Sequence, residues 1–396
     1  MYDFVIIGGG IVGLSVGMSL GKRFPSKSIL IIEKEDKIAA HQTGHNSGVI
    51  HSGIYYKPNS FKAEFTRKGN QSIVEFCQTY DLPYKVCGKF IVATRKSELS
   101  ALQNLYQQGL KNGLEVEKVS AEEIKEKEPY INCLEGIKVE KAGITDYTKI
   151  CQKYIDLIQE QGGELKLNTK VINIRNIQNN KILETTQGEI KAKFMINCAG
   201  LYSDFITKLD GFRPPAQIIP FRGEYYQLKP NKNYLVNSLI YPVPNPEFPF
   251  LGVHFTRMID GSVHAGPNAV LSLKREGYKK TDFDAKEFFE IVTYKGFWKL
   301  VQKHTNEGVK EIIRSFSKTA FVKSLQQLIP EITINDVVSC EAGVRAQALK
   351  NNGSLVDDFL IIQNKNSLHV CNAPSPAATA SLEIGKYIVN QISEQG

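Results

Sequence analysis

The chain has 396 residues, of which 42% are hydrophobic and 23% charged, figures that exclude long disorder and suit two domains or one large one. The net charge of +8 is spread along the chain without a dense Lys/Arg block, which favours small anions or an anionic surface as partners and argues against nucleic acid. The seven cysteines are odd in number and form no CxxC pair, so reduced thiols of a cytoplasmic protein are expected, with neither disulfides nor a metal site.

In chain order, residues 4–7 are an apolar, β-branched run suited to a strand covered on both faces. A glycine turn over 8–13 leads into a helix over 11–22, and 28–33 is a second strand. The apolar start belongs to this unit rather than to a signal peptide, and the absence of any run of about 18 apolar residues predicts no membrane span. Helices are expected over 60–80, 96–112 and 148–161, with strands over 88–93 and 194–200. From 214 to 275 the chain turns rich in Pro and aromatic residues, with strand-like runs at 225–228 and 252–255, the pattern of an antiparallel sheet with many turns. Residues 285–330 read as helical, followed by strands at 359–362 and 368–371 and a closing helix over 377–392. The expected fold class is α/β: a Rossmann-type dinucleotide domain over 1–82, 142–213 and 335–396, with an inserted α+β substrate domain over 83–141 and 214–334 built on an antiparallel sheet.

Gly8-x-Gly10-x-x-Gly13 follows a strand and opens a helix. Gly8 permits the tight turn, Gly10 lets a pyrophosphate approach the backbone, and Gly13 lets helix pack on strand. The first N–H groups of the helix, at Ile11 and Val12, offer a partial positive charge to phosphate. Glu33 stands twenty residues after Gly13, where an acid can bind ribose hydroxyls. No second such unit occurs, as a flavin enzyme that also bound a nicotinamide would need, so FAD reduced directly by substrate is expected.

Further segments carry a family resemblance. The run His41–Gly53 (HQTGHNSGVIHSG), Asn197–Asp204 (NCAGLYSD), Gly343-Val344-Arg345 with Asp357-Asp358-Phe359, and Ser375–Ser381 (SPAATAS) resemble elements of flavin oxidases of the D-amino-acid-oxidase and glycerol-3-phosphate-oxidase type. Within that superfamily, Tyr241–Glu247, Phe250–Arg257 and Gly266–Val270 resemble segments of the L-2-hydroxyglutarate oxidase/dehydrogenase family, and the likeness runs end to end. The chain departs from the wider superfamily at Arg345-Ala346, where Arg-Pro is common, and at Ala377-Ala378, where a glycine-rich turn is common. The resemblance implies FAD held also by Lys34, Thr43, Asn46, Ser47, Gly48, Val49, Val171, Ala199, Gly200, Pro376, Ala377, Ala378 and Thr379.

Oxidising a 2-hydroxy acid moves a hydride to the flavin and the hydroxyl proton to a base, a task suited to histidine. By resemblance His51 lies against the flavin and is the first choice. His254, on an apolar strand of the inserted domain, is the second. His41, His45, His264, His304 and His369 are read as structural, with His45 also near FAD. A dicarboxylate calls for cations, and arginine offers a planar fork that stays charged. Arg345 is expected on one carboxylate by resemblance, Arg275 either on the other or as a solvated surface charge, and Ser375 either at the substrate or as a helix cap. The implied reaction is oxidation of L-2-hydroxyglutarate to 2-oxoglutarate, with electrons passed to oxygen or a quinone. Two alternatives stay open: a glycerol-3-phosphate or amino-acid oxidase of the same fold, and a non-catalytic FAD-holding or RNA-binding module. Residues 285–303 interleave Phe288, Phe289, Val292, Phe297, Trp298 and Val301 with lysines, which suits either a core-packed helix or one lying on the inner face of the cell membrane.

Overall fold

The computed structural model describes residues 1–245 and 251–392, so Pro246, Glu247 and Phe250 of the family-like segments lie outside the described residues. β1 (Tyr2–Ile7), α1 (Ile11–Arg23) and β2 (Ile29–Ile32) form the expected opening unit. β1 runs parallel to β2 on one side and to the strand Gly188–Asn197 on the other. Ser367–Asn372 adds to the end of Gly188–Asn197, also in parallel. The unalternated apolar run of β1 has a direct cause, because both faces are covered. Phe4 and Ile6 pack against α1 and the helices Tyr147–Glu160 and Ser381–Gln391, whereas Val5 and Ile7 pack with Met195 and Ile206 behind the sheet.

A second sheet has eight strands and draws on both inserted stretches. Its middle places Lys89–Ala93 beside Leu239–Pro242, and His254–Arg257 next to that. The expected antiparallel character holds for most pairs, but Lys89–Ala93 and Leu239–Pro242 run parallel, joining the two inserted stretches. Val337–Ser339 pairs with Tyr226–Leu228 in this sheet, although it lies beyond residue 334, where the sequence reading closes the insertion. Gly343–Leu349 pairs with Gln217–Gly223 in a separate three-stranded sheet that carries Arg345.

The stretch 285–303 is two helices rather than one, Ala285–Val292 and Lys295–Lys303. Tyr294 breaks the run by adopting extended backbone, and its hydroxyl donates to Leu349 O at 2.8 Å. Ile291, Phe297 and Leu300 point inward against Ile219 and Leu349. Among the described residues, no helix is long and apolar enough to cross a membrane.

Candidate active site

A single cavity of about 1480 Å³ runs from the glycine turn to the second sheet. Drug-sized ligands fill pockets of roughly 300–1,000 Å³, so this volume has room for a dinucleotide and a small acid together. At one end the turn is packed tight on its protein side. A Cβ on Gly13 would lie 2.0 Å from Gly8 O, and one on Gly8, whose φ is +114°, would lie 2.5 Å from Cys198 O. The open side presents Gly10, Ile11 and Val12 to the cavity, at a helix N-terminus suited to a pyrophosphate. Thr43 Oγ1 accepts from Ile11 N–H at 3.1 Å, which ties the loop after β2 to this turn. Glu33 accepts from Gly9 N–H at 2.7 Å and from Glu35 N–H at 3.0 Å. Each carboxylate oxygen keeps a second lone pair, so ribose hydroxyls can still donate to it. The FAD expected from the sequence therefore fits these residues.

The other expected cofactor residues divide into two groups. Lys34, Asn46, Ser47, Val49, Val171, Ala199, Gly200, Pro376, Ala377 and Ala378 line the cavity. Gly13, Gly48 and Thr379 stand behind its wall and shape it. The Thr379 hydroxyl is occupied by Val49 O, His51 N–H and the Tyr147 hydroxyl. Lys34 bridges Glu35 and Glu276, with His41 at 3.0 Å, and so fastens the nucleotide end to the 274–278 loop. Glu35, His41 and Glu276 bring three ligand-type atoms within 4.8 Å of one another, with Lys34 Nζ among them.

At the far end, His51, His254, Arg345 and Ser375 meet at one cavity. The register that pairs Ile240 with Phe255 sets Tyr241 opposite His254, and their rings stack at 3.9 Å. His254 Nδ1 lies 2.8 Å from Gly252 O. A carbonyl only accepts, so Nδ1 carries the hydrogen and Nε2 keeps its lone pair. Burial, with the charges of Lys89 and Arg345, pushes His254 down to about 3, against the upward pull of its bond to Gly252. Burial first, then Lys89, His254 and Lys62, hold His51 well below the ordinary histidine range. Both rings are therefore neutral proton acceptors at neutral pH. Ser375 lies beside the Tyr56 hydroxyl. It caps no helix, because the C-terminal helix starts only at Ser381.

Arg275 requires a correction. Its guanidinium is buried and donates to Asp204 at 2.6 and 3.1 Å and to Leu201 O at 2.6 Å. A bidentate fork already closed on a buried carboxylate cannot also anchor a substrate carboxylate, so Arg275 is structural. The sequence reading also passed over Lys62, Tyr55, Tyr56, Tyr225 and Tyr241, all in the cavity wall, and Lys89 just behind it. Lys62 lies 3.1 Å from Asp357 and over the Tyr56 ring. The signal for Lys89 was present, since a lysine that opens an apolar strand run is either an exposed end or a buried charge.

The comparisons agree with this geometry. The family model "FAD dependent oxidoreductase" matches residues 3–391. The chain is 47% identical over 386 residues to an L-2-hydroxyglutarate dehydrogenase of Indibacter alkaliphilus, covering 97% of each. It is 44% identical to that of Escherichia coli strain K12, covering 99% of this chain and 93% of the other. It is 46% identical to the mitochondrial enzyme of Homo sapiens, covering 100% and 89%. Among solved structures, the FAD-bound L-alpha-glycerophosphate oxidase of Mycoplasma pneumoniae superposes with a TM-score of 0.79 at 22% identity, covering 98% and 94%. Glycine oxidase of Geobacillus kaustophilus gives 0.74 at 16% identity, covering 98% and 94%. At such identities these two likenesses speak to the fold alone. With nearly its whole length matched, the chain belongs to the FAD dependent oxidoreductase family, in the branch that holds the L-2-hydroxyglutarate dehydrogenases.

Proposed function

We propose that this enzyme oxidises L-2-hydroxyglutarate to 2-oxoglutarate with FAD as its cofactor. The observation that carries the reading is the neutral, tautomer-fixed His254 facing the same cavity as Arg345. FAD, when bound, supplies the acceptor for the hydride leaving C2. Arg345 holds the carboxylate beside the hydroxyl through charge-assisted hydrogen bonds. His254 Nε2 takes the hydroxyl proton as C–O becomes C=O, and His51 is the second candidate. This reverses the order expected from sequence, because the geometry fixes the tautomer of His254. Tyr55, Tyr225 and Tyr241 wall the site and keep water from the reacting carbon.

The test is anaerobic. L-2-hydroxyglutarate is expected to bleach the flavin band of the yellow protein, while D-2-hydroxyglutarate and glycerol-3-phosphate leave it unchanged. Bleaching by glycerol-3-phosphate alone would move the enzyme to a different substrate class. No bleaching, with salt-dependent RNA binding, would favour the non-catalytic module.

For the electron acceptor, one observation favours a quinone in the membrane over oxygen. Phe289, Trp298 and Phe316 are 66%, 52% and 79% exposed, on three successive helices beside the exposed Lys286, Lys295, Lys299 and Lys303. Exposed aromatics rimmed by lysines suit an anionic bilayer surface, which supports a peripheral position on the membrane. The protein is expected to pellet with anionic liposomes at low salt, and Trp298→Glu to weaken this. A protein that stays in the supernatant overturns the contact.

A further inference from the structure

We propose that Lys89 is a positioning residue for this oxidation: a buried ammonium behind the cavity wall that acts on the substrate site through the rings of Tyr241 and Tyr55. The inference rests on the reading of the cavity as a site for an anionic hydroxy acid.

Lys89 opens the strand Lys89–Ala93 in the middle of the second sheet and is 1% exposed. It pairs with Leu239, which makes Tyr241 its diagonal neighbour on the same face. Its Nζ lies 4.1 Å from the centre of the Tyr241 ring and 5.2 Å from that of Tyr55. Tyr241 in turn stacks on His254. The ammonium, Tyr241 and His254 thus form a three-layer stack from the sheet interior to the cavity. A cation over one face of Tyr241 anchors the ring, and the ring positions the imidazole whose Nε2 faces the substrate.

The charge has a second consequence. Buried ammonium groups are normally paired with an acid. Among the described residues no carboxylate forms an ion pair with Lys89. The groups that face it are Cys87, Tyr55, Tyr241, His51 and His254. None of these is an anion at neutral pH, since burial raises Cys87 and both tyrosines and lowers both histidines. Burial accordingly pushes Lys89 down to about 7, slightly opposed by Cys87. The missing counter-charge is the substrate. A dicarboxylate entering the cavity favours the protonated lysine, so binding above pH 7 draws a proton onto Nζ. The sign follows: a group whose pKa rises on binding strengthens binding below its free-state value and weakens it as pH climbs above that value.

The test uses the FAD-loaded protein and 2-oxoglutarate, the product, as the probe. Calorimetric titration at pH 8 in two buffers of different ionisation enthalpy counts the protons taken up. The native protein is expected to take up about one proton, and its Kd to rise by up to about tenfold per pH unit above pH 7. Lys89→Met should take up none and bind weakly at every pH. Lys89→Arg should bind with a Kd that stays flat through pH 9. The thermal midpoint of Lys89→Met should not fall, because replacing an unpaired buried charge by an apolar chain removes a desolvation cost. No binding by the native protein at any pH would overturn the reading of the site and the proposal with it. Binding without proton uptake, or a Lys89→Met protein with native Kd and pH profile, would overturn the role of Lys89 alone.

Discussion

His254→Ala is expected to lower kcat by about 10²–10⁴-fold, the range for removing a positioned general base, while the protein still purifies yellow. The separation of the two effects follows from where the residue sits. His254 belongs to the second sheet and faces the reacting end, whereas the glycine turn, Glu33 and Thr43 shape the far end of the cavity. His51→Ala should cost less, because among the described residues no hydrogen bond fixes its ring, while Gly252 O fixes that of His254. The pH profile supplies an independent check. A solvated histidine base would make kcat/KM fall below a pH near 6.5. With His254 pushed down to about 3, kcat/KM should instead stay flat from pH 7 down to about 5. Bound substrate adds negative charge that offsets Lys89 and Arg345, so the acid limb of kcat should lie at higher pH than that of kcat/KM. An acid limb near 6.5 in kcat/KM, abolished in His51→Ala, would make His51 the base.

The parts of this molecule that were legible in its sequence are those whose causes are local. β1, the turn and α1 are contiguous, and Gly8 and Gly13 answer contacts with Cys198 and with each other. The break at Tyr294 was not legible, because it depends on a hydrogen bond to Leu349 and on Gly296, where a Cβ would meet Lys350 O at 2.3 Å. Both contacts come from the end of the strand Gly343–Leu349 and the residue after it, more than fifty positions away. The same distinction runs through the site. His51, His254 and Arg345 were identified partly by resemblance and partly because histidine and arginine suit the chemistry. Arg275 satisfied that chemical argument equally well, and only the fold shows Asp204, 71 positions earlier, closing on its guanidinium. Lys89 failed the opposite way. A lysine in an apolar strand reads as a strand end until two tyrosines, from 34 positions before it and 152 after, are seen to flank its ammonium.

The two arginines yield the second large prediction, because they should fail in different assays. Arg345→Met is expected to cost about 2–5 kcal/mol of substrate binding, roughly 30- to 5,000-fold in kcat/KM, with little change in thermal stability. Its guanidinium lines the cavity and bears on His254, so its loss also removes a positive charge from beside the base. Arg345→Lys should recover part of the loss, since a point charge replaces only part of a planar fork. Arg275→Met should do the reverse. It strands Asp204, which is 1% exposed, without its bidentate partner, and breaking such a pair costs about 3–5 kcal/mol of stability. The Asp204 carboxylate also accepts from the backbone at Phe205 and Ile218, so the damage should spread along the helix Ser203–Leu209 and the strand Gln217–Gly223. Thermal unfolding and steady-state kinetics on both variants decide the matter. A raised KM in folded Arg275→Met, with a native KM in Arg345→Met, would exchange their roles and move the substrate carboxylate to the nucleotide side of the cavity.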